Sequence, residues 1–120
     1  MKSGRTAYLN GLAAEDIAAR LYEDRQGRVL ERRWKRREGE IDLIIEQAGV
    51  IVFVEVKARK TLEIAAQSLS QKQQLRMFEV AQLYLAERRA GMNADTRFDV
   101  VLVDRHGNTE ILENALTQGW

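Results

Sequence analysis

The amino-acid sequence predicts an α/β domain, a mixed β-sheet with helices packed on it in the order α-β-β-β-α-β. Three observations lead there. Apolar residues recur at helical spacing in two stretches, and in four shorter segments they alternate with polar ones or run together. The second helical stretch also lies between two strand segments, the connection that parallel neighbours require and one that is nearly always right-handed. The 120 residues fit a single domain covering 1–120.

From Arg5 to Asp24, Leu9, Leu12, Ala13, Ile17, Leu21 and Tyr22 trace one face of a helix, with Gly27 near its end. Residues 29–34, 40–46 and 51–57 read as three strands, the last two joined by a two-residue turn at Ala48-Gly49. A second helix runs from Ser70 to Arg89. Met77, Phe78, Ala81, Tyr84 and Leu85 form its apolar stripe, Val80 and Leu83 widen it, and Gly91 closes it. Phe98–Val103 is the fourth strand, and a turn follows at 105–108. Glu110–Ala115 suits either a short strand or a final helical turn.

Composition narrows the chemistry. The chain is 45% hydrophobic and 31% charged, as a globular protein is. It lacks cysteine, which excludes disulfides, thiolate catalysis and cysteine-type zinc sites and agrees with a reducing compartment. No signal-peptide core and no apolar run of about 18 residues is present, so a cytoplasmic protein without a membrane segment is expected. His106, the single histidine, falls in a turn, and no phosphate-binding loop or dinucleotide fingerprint occurs.

The net charge of +1 conceals a stripe in which six of ten residues are basic: Arg28, Arg32, Arg33, Lys35, Arg36 and Arg37. Such a stripe attracts phosphates, and it equally suits a solvated strand edge. Lys72 and Arg76, one helical turn apart, could also contact phosphates or form a solvated face. Trp34 could stack on an unpaired base or pack beneath arginine stems.

The hairpin 39–57 raises the main chemical question. Alternation sets Glu40, Asp42, Ile44 and Glu46 on one face of their strand, opposite Ile41, Leu43 and Ile45. Ile51, Phe53, Glu55 and Lys57 share a face of the next strand. The tight turn pairs Gln47 with Val50, which sets Asp42 across from Glu55 and Glu40 across from Lys57. Like charges facing at ~4.5–5.5 Å between Cβ atoms are destabilising. A divalent cation between Asp42 and Glu55 would offset that repulsion, with Lys57 placed to orient a water or stabilise charge on a phosphate. A solvated, ion-paired face is the plainer account of any one of these charges; all four at this register are read as a metal site.

The blocks Gly39-Glu40-Ile41-Asp42-Leu43-Ile44 and Phe53-Val54-Glu55-Val56-Lys57 resemble the D…(D/E)-x-K core of the restriction-endonuclease-like (PD-(D/E)xK) superfamily. The helix around Gly11–Leu21, Lys72-Gln73, Arg97–Val101 and Glu113-Asn114-Ala115 extend the likeness, and the chain resembles the YraN family of small bacterial proteins, related to archaeal Holliday-junction resolvases. The resemblance implies a restriction-endonuclease-like core with Asp42 and Glu55 as metal ligands. It adds the Val56 carbonyl to the inner sphere, brings Glu15 from the first helix, and makes Glu40 a ligand or outer partner. Lys57 would position the attacking water. Arg59 matches a basic position frequent in relatives, whereas the glycine common after Lys57 is absent, so specificity does not carry over.

The expectation is therefore a nuclease-like protein dependent on Mg²⁺ or Mn²⁺. Asp42, Glu55 and Lys57 are its catalytic residues, and Glu15, Glu40, Asp42, Glu55 and Val56 its candidate metal ligands. Arg32, Arg33, Lys35, Arg36, Arg37, Arg59, Lys72 and Arg76 are its candidate contacts to nucleic acid. DNA is the expected partner, in branched or damaged form among others, and the protein is a monomer or homodimer. The alternatives are a nucleic-acid-binding module that does not cut and a protein-interaction scaffold that keeps the fold.

Overall fold

A computed structural model describes residues 4–88 and 95–115, with side chains from Gly11 onward. Its elements are α1 (Gly4–Glu23), β1 (Arg28–Arg36), β2 (Gly39–Gln47), β3 (Val50–Ala58), α2 (Leu62–Gln67), α3 (Gln71–Glu87), β4 (Asp95–Val103) and β5 (Thr109–Leu112). The expected Gly91 terminus, Trp120 and the side chain of Leu9 lie outside the described residues.

The five strands form one mixed sheet in sequential order, β1-β2-β3-β4-β5. Only β3 and β4 run parallel, and α2 and α3 form the crossover between them. Both the parallel pair and the helix-bearing connection agree with the sequence reading. One element was not expected, and one settles between two readings. The short helix α2, capped by the Thr61 hydroxyl accepting the Ile64 N–H at 3.1 Å, went unread because only Ala65 of its six residues is buried. The segment at 109–112 resolves as a strand that pairs with β4 from Val100–Leu112 to Val103–Thr109.

Helices cover both faces of the sheet. On one face, Ala14, Ala18, Ala19 and Tyr22 of α1 pack on Leu43, Ile45, Val52, Val54, Val101 and Val103. On the other, Val80, Ala81 and Tyr84 of α3 pack on Ile41, Ile44 and Phe53. A neighbouring cluster joins Ala65 of α2 to Met77, Phe78, Val100 and Leu102. Apart from Glu55, Lys57 and Asp99, the buried parts of β3 and β4 are apolar on both sides, as suits parallel neighbours between helices. Each fully buried large aliphatic or aromatic side chain contributes about 1.5–3 kcal/mol.

The ends of the elements follow local chemistry. Ser70 and Gln73 form a reciprocal capping box at the start of α3. The hairpin turn has positive φ at both Ala48 (52°) and Gly49 (81°), the backbone that right-twisted hairpins favour. At the end of α1 the left-handed residue is Gln26 (φ 63°), not Gly27. Gly27 is required for a different reason: a Cβ there would lie 2.8 Å from the Tyr22 carbonyl oxygen.

A break in the sheet beside a carboxylate pair

The ladder between β2 and β3 follows the expected register from Gln47–Val50 as far as Leu43–Val54, and there it ends. Asp42 and Glu55 come next by count but are not paired through the backbone. Instead, the Asp42 carboxylate accepts the Val56 N–H at 2.8 Å, so a side chain takes over where the main-chain ladder stops. The expected pairing of Glu40 with Lys57 does not form, because β2 has parted from β3 and Glu40 pairs with Lys35 of β1.

A matching irregularity lies on the other side of β2. Arg33, opposite Asp42 by count, has φ 52°, and the β1–β2 ladder steps from Arg32–Leu43 to Trp34–Ile41 without it. Strict alternation fails there. Ile41 packs with Ile44 against α3, although alternation set it with Leu43 and Ile45. The distortion brings Asp42 to the α1 side, where it lines a cleft with Glu15.

The Asp42 and Glu55 carboxyls act directly on one another, and Lys57 Nζ stands 3.3 Å from Glu55 Oε2. Lys57 is only 6% exposed, so its ammonium is held against Glu55 and away from bulk water. Burial is the main force raising the Glu55 carboxyl to about 8, with the Asp42 charge second and Lys57 opposing. Asp42 is also raised, first by burial; the Val56 N–H and the Glu55 carboxyl work against that rise. Together the two acids retain one proton more readily than isolated carboxylates do. Glu15 is raised by burial and then by Asp42, although Arg33 lies 3.6 Å away.

One opening reaches both acids and a second reaches Glu55. The larger, about 630 Å³, lies between α1 and the sheet, and Glu15, Asp42, Glu55, Val56 and Arg59 line it. The smaller, about 180 Å³, opens on the α3 side between Glu40, Glu55 and Arg76. Glu15 and Glu40 thus approach from separate openings, with Asp42 and Glu55 between them. Among the described residues no three His, Cys, Asp or Glu side chains gather closely enough to hold an ion by themselves. Two adjoining carboxylates fit Mg²⁺ or Mn²⁺ with water and phosphate oxygens completing an all-oxygen shell.

The basic candidates divide. Arg32 Nη1 is bonded to Asp16 Oδ1 at 2.7 Å, and Arg36 makes a two-pronged contact with Glu87 at 2.6 and 2.9 Å. Trp34 lies under the Arg36 guanidinium at 3.8 Å and edge-on to Tyr84 at 5.1 Å, so it is a packing residue. These contacts fasten the edge strand β1 to α1 and α3. Lys35, Arg37, Arg59, Lys72 and Arg76 are exposed. Arg59 is at the large cleft and Arg76 at the small one. Sequence reasoning missed Lys60 and Arg105, which line the large cleft beside Arg59. No local motif marks them; only the parallel pairing of Ala58 with Val103 brings the two segments together.

The model of Uncharacterised protein family UPF0102 matches residues 14–103. A UPF0102 protein of Roseobacter denitrificans is 46% identical over 98% of this chain and 91% of its own. One from Cereibacter sphaeroides is 45% identical over 94% of this chain and 97% of its own. Another, from Azorhizobium caulinodans, is 40% identical over 92% of this chain and 85% of its own.

Proposed function

The chain belongs to the UPF0102 family, and from that premise we propose that it is a Mg²⁺- or Mn²⁺-dependent nuclease with a restriction-endonuclease-like core, acting on DNA phosphodiester bonds. The observation that carries the reading is the adjoining Asp42 and Glu55 in one cleft, with Lys57 3.3 Å from Glu55, at the point where the β2–β3 ladder breaks. An ordinary fold gains nothing from two half-buried acids sharing a proton; a cation site does.

Asp42 and Glu55 would hold the ion, which when bound neutralises phosphate charge and makes water more acidic. Asp42 is fixed for this task by the Val56 N–H. Glu55 would have to be deprotonated to hold the ion. Lys57 orients the attacking water and offers positive charge to the phosphate oxygens as negative charge builds there. Glu15 and Glu40 shape the field of the site from the two openings.

A second reading, a nucleic-acid-binding module that does not cut, draws support from the meeting of two carboxylates and not three. One experiment separates them. Purified protein is incubated with linear, nicked, flapped and branched DNA in Mg²⁺ or Mn²⁺. Cleavage is expected, with Asp42→Asn and Lys57→Ala each lowering its rate by about 10²–10³-fold. Salt-dependent binding without cleavage in either metal selects the second reading.

A further inference from the structure

We infer that the phosphodiester backbone runs through the large cleft beside α1 and is held there by Arg59, Lys60 and Arg105. The inference rests on the nuclease reading and identifies the track that the substrate takes across the site. The three cations come from two segments far apart in sequence, and the fold joins them into one rim. The Arg59 N–H donates to the Val103 carbonyl at 3.0 Å, and the Arg105 N–H donates to the Lys60 carbonyl at 3.4 Å. These bonds continue the β3–β4 pairing into the loops, so the rim is set before any ligand arrives.

The rim's one acid is already committed. Asp104 Oδ1 accepts the N–H groups of His106 (2.8 Å) and Asn108 (2.9 Å), and its Oδ2 accepts the Asn108 side-chain amide at 3.0 Å. Its carboxylate thereby stiffens the turn that carries Arg105. Arg59 donates to its own neighbour's carbonyl, and Arg105 contacts His106. Among the described residues none of the three cations is held in an ion pair. On β1, by contrast, Arg32, Arg33 and Arg36 face Asp16, Glu15 and Glu87.

The α1 side contributes Gly11, Ala13 and Ala14, which leave room for a sugar-phosphate chain, together with Ile17 and the candidate ligand Glu15. Asp42 and Glu55 lie on the floor. A phosphate held by the rim cations would lie in the same cleft as the acidic pair. The β1 stripe on the sheet edge has no such floor.

The test measures binding apart from cutting. Fluorescence anisotropy with a labelled oligonucleotide, single-stranded or duplex, is recorded in EDTA and in Ca²⁺ over a range of salt. Lys60→Gln/Arg105→Gln is expected to weaken binding about tenfold or more and to flatten the salt dependence by about two counterions. Arg20→Gln/Arg25→Gln, on exposed positions away from the cleft, is expected to match the wild type. Circular dichroism checks that both variants fold, and Lys60→Arg should bind like the wild type because a charge is all that is needed. If the wild type binds or cuts while Lys60→Gln/Arg105→Gln binds equally well, the track is wrong and the nuclease reading survives. Loss confined to Lys35→Gln/Arg37→Gln moves the track to β1 and overturns the inference. A wild type that neither binds nor cuts removes both.

Discussion

Glu55 stands between an acid and a base, and its proton follows from that position. Burial and the Asp42 charge hold the proton on, while Lys57 at 3.3 Å works to release it. The sign of the resulting pH dependence is fixed. From the ordinary carboxyl value of 4.5 to about 8, the native protein keeps a proton that the unfolded chain has lost. Stability without metal should therefore fall as pH rises through that window. Urea unfolding at pH 5.5 and 8 should show the fall in wild type and a much flatter profile in Glu55→Gln. Mg²⁺ should raise the unfolding midpoint more at pH 8, where fewer protons compete for the pair. A wild-type profile as flat as that of Glu55→Gln would contradict the shared proton. The sequence reveals these residues because charges interrupt otherwise apolar alternation. It does not reveal that the ladder ends before reaching them, since a register count assumes continuous strands and nothing in the residue type of Arg33 announces φ 52°.

At the scale of elements, long periodic segments are legible and short ones are not. The helix α1 and the strands β1–β4 stand out by spacing, and the two-residue turn sets their pairing. The helix α2 is six residues long and leaves Ile64 47% exposed, so it carries no amphipathic signal. The basic run on β1 is ambiguous in one dimension. Its partners Asp16 and Glu87 belong to helices on opposite sides of the sheet, and only the fold brings them near. The joint between α1 and β1 gives a sharp prediction. Gly27→Ala forces a Cβ to 2.8 Å from the Tyr22 carbonyl, a backbone atom held within the helix end. A loss of about 1–3 kcal/mol is expected by urea denaturation. Gly49→Asn in the exposed hairpin turn, where the added Cβ meets nothing within 4 Å, should cost much less.

Across the whole molecule, the end of α1 and the segment after β5 are fastened at Asp99. This fully buried carboxylate accepts the Tyr22 hydroxyl at 2.8 Å, the Arg97 guanidinium at 2.9 and 3.0 Å, and the Asn114 N–H at 2.9 Å. Arg97–Val101 and Glu113–Ala115 stand out in the sequence as blocks, but their meeting with α1 is a property of the assembled sheet. Asp99→Ala should destabilise by about 3–5 kcal/mol, because Arg97 loses its buried partner. Tyr22→Phe should cost about 1–3 kcal/mol. Denaturant titration measures both, and a loss below about 1 kcal/mol for Asp99→Ala would show that the junction is ornamental.

The Tyr22–Asp99 bond spans 77 positions in the chain, and that distance bears on the order of events during synthesis. The carboxylate pair is complete once Lys57 has been made, but the fastening for the helix beside it arrives some forty residues later. Contacts this distant in sequence form late and slow the search for the native state. A nascent chain ending before β4 has the β1, β2 and β3 contacts of α1 but lacks Val101, Val103 and the Asp99 carboxylate that complete its seat. Synthesis thus delivers the acidic hairpin well before the carboxylate that receives the Tyr22 hydroxyl of α1.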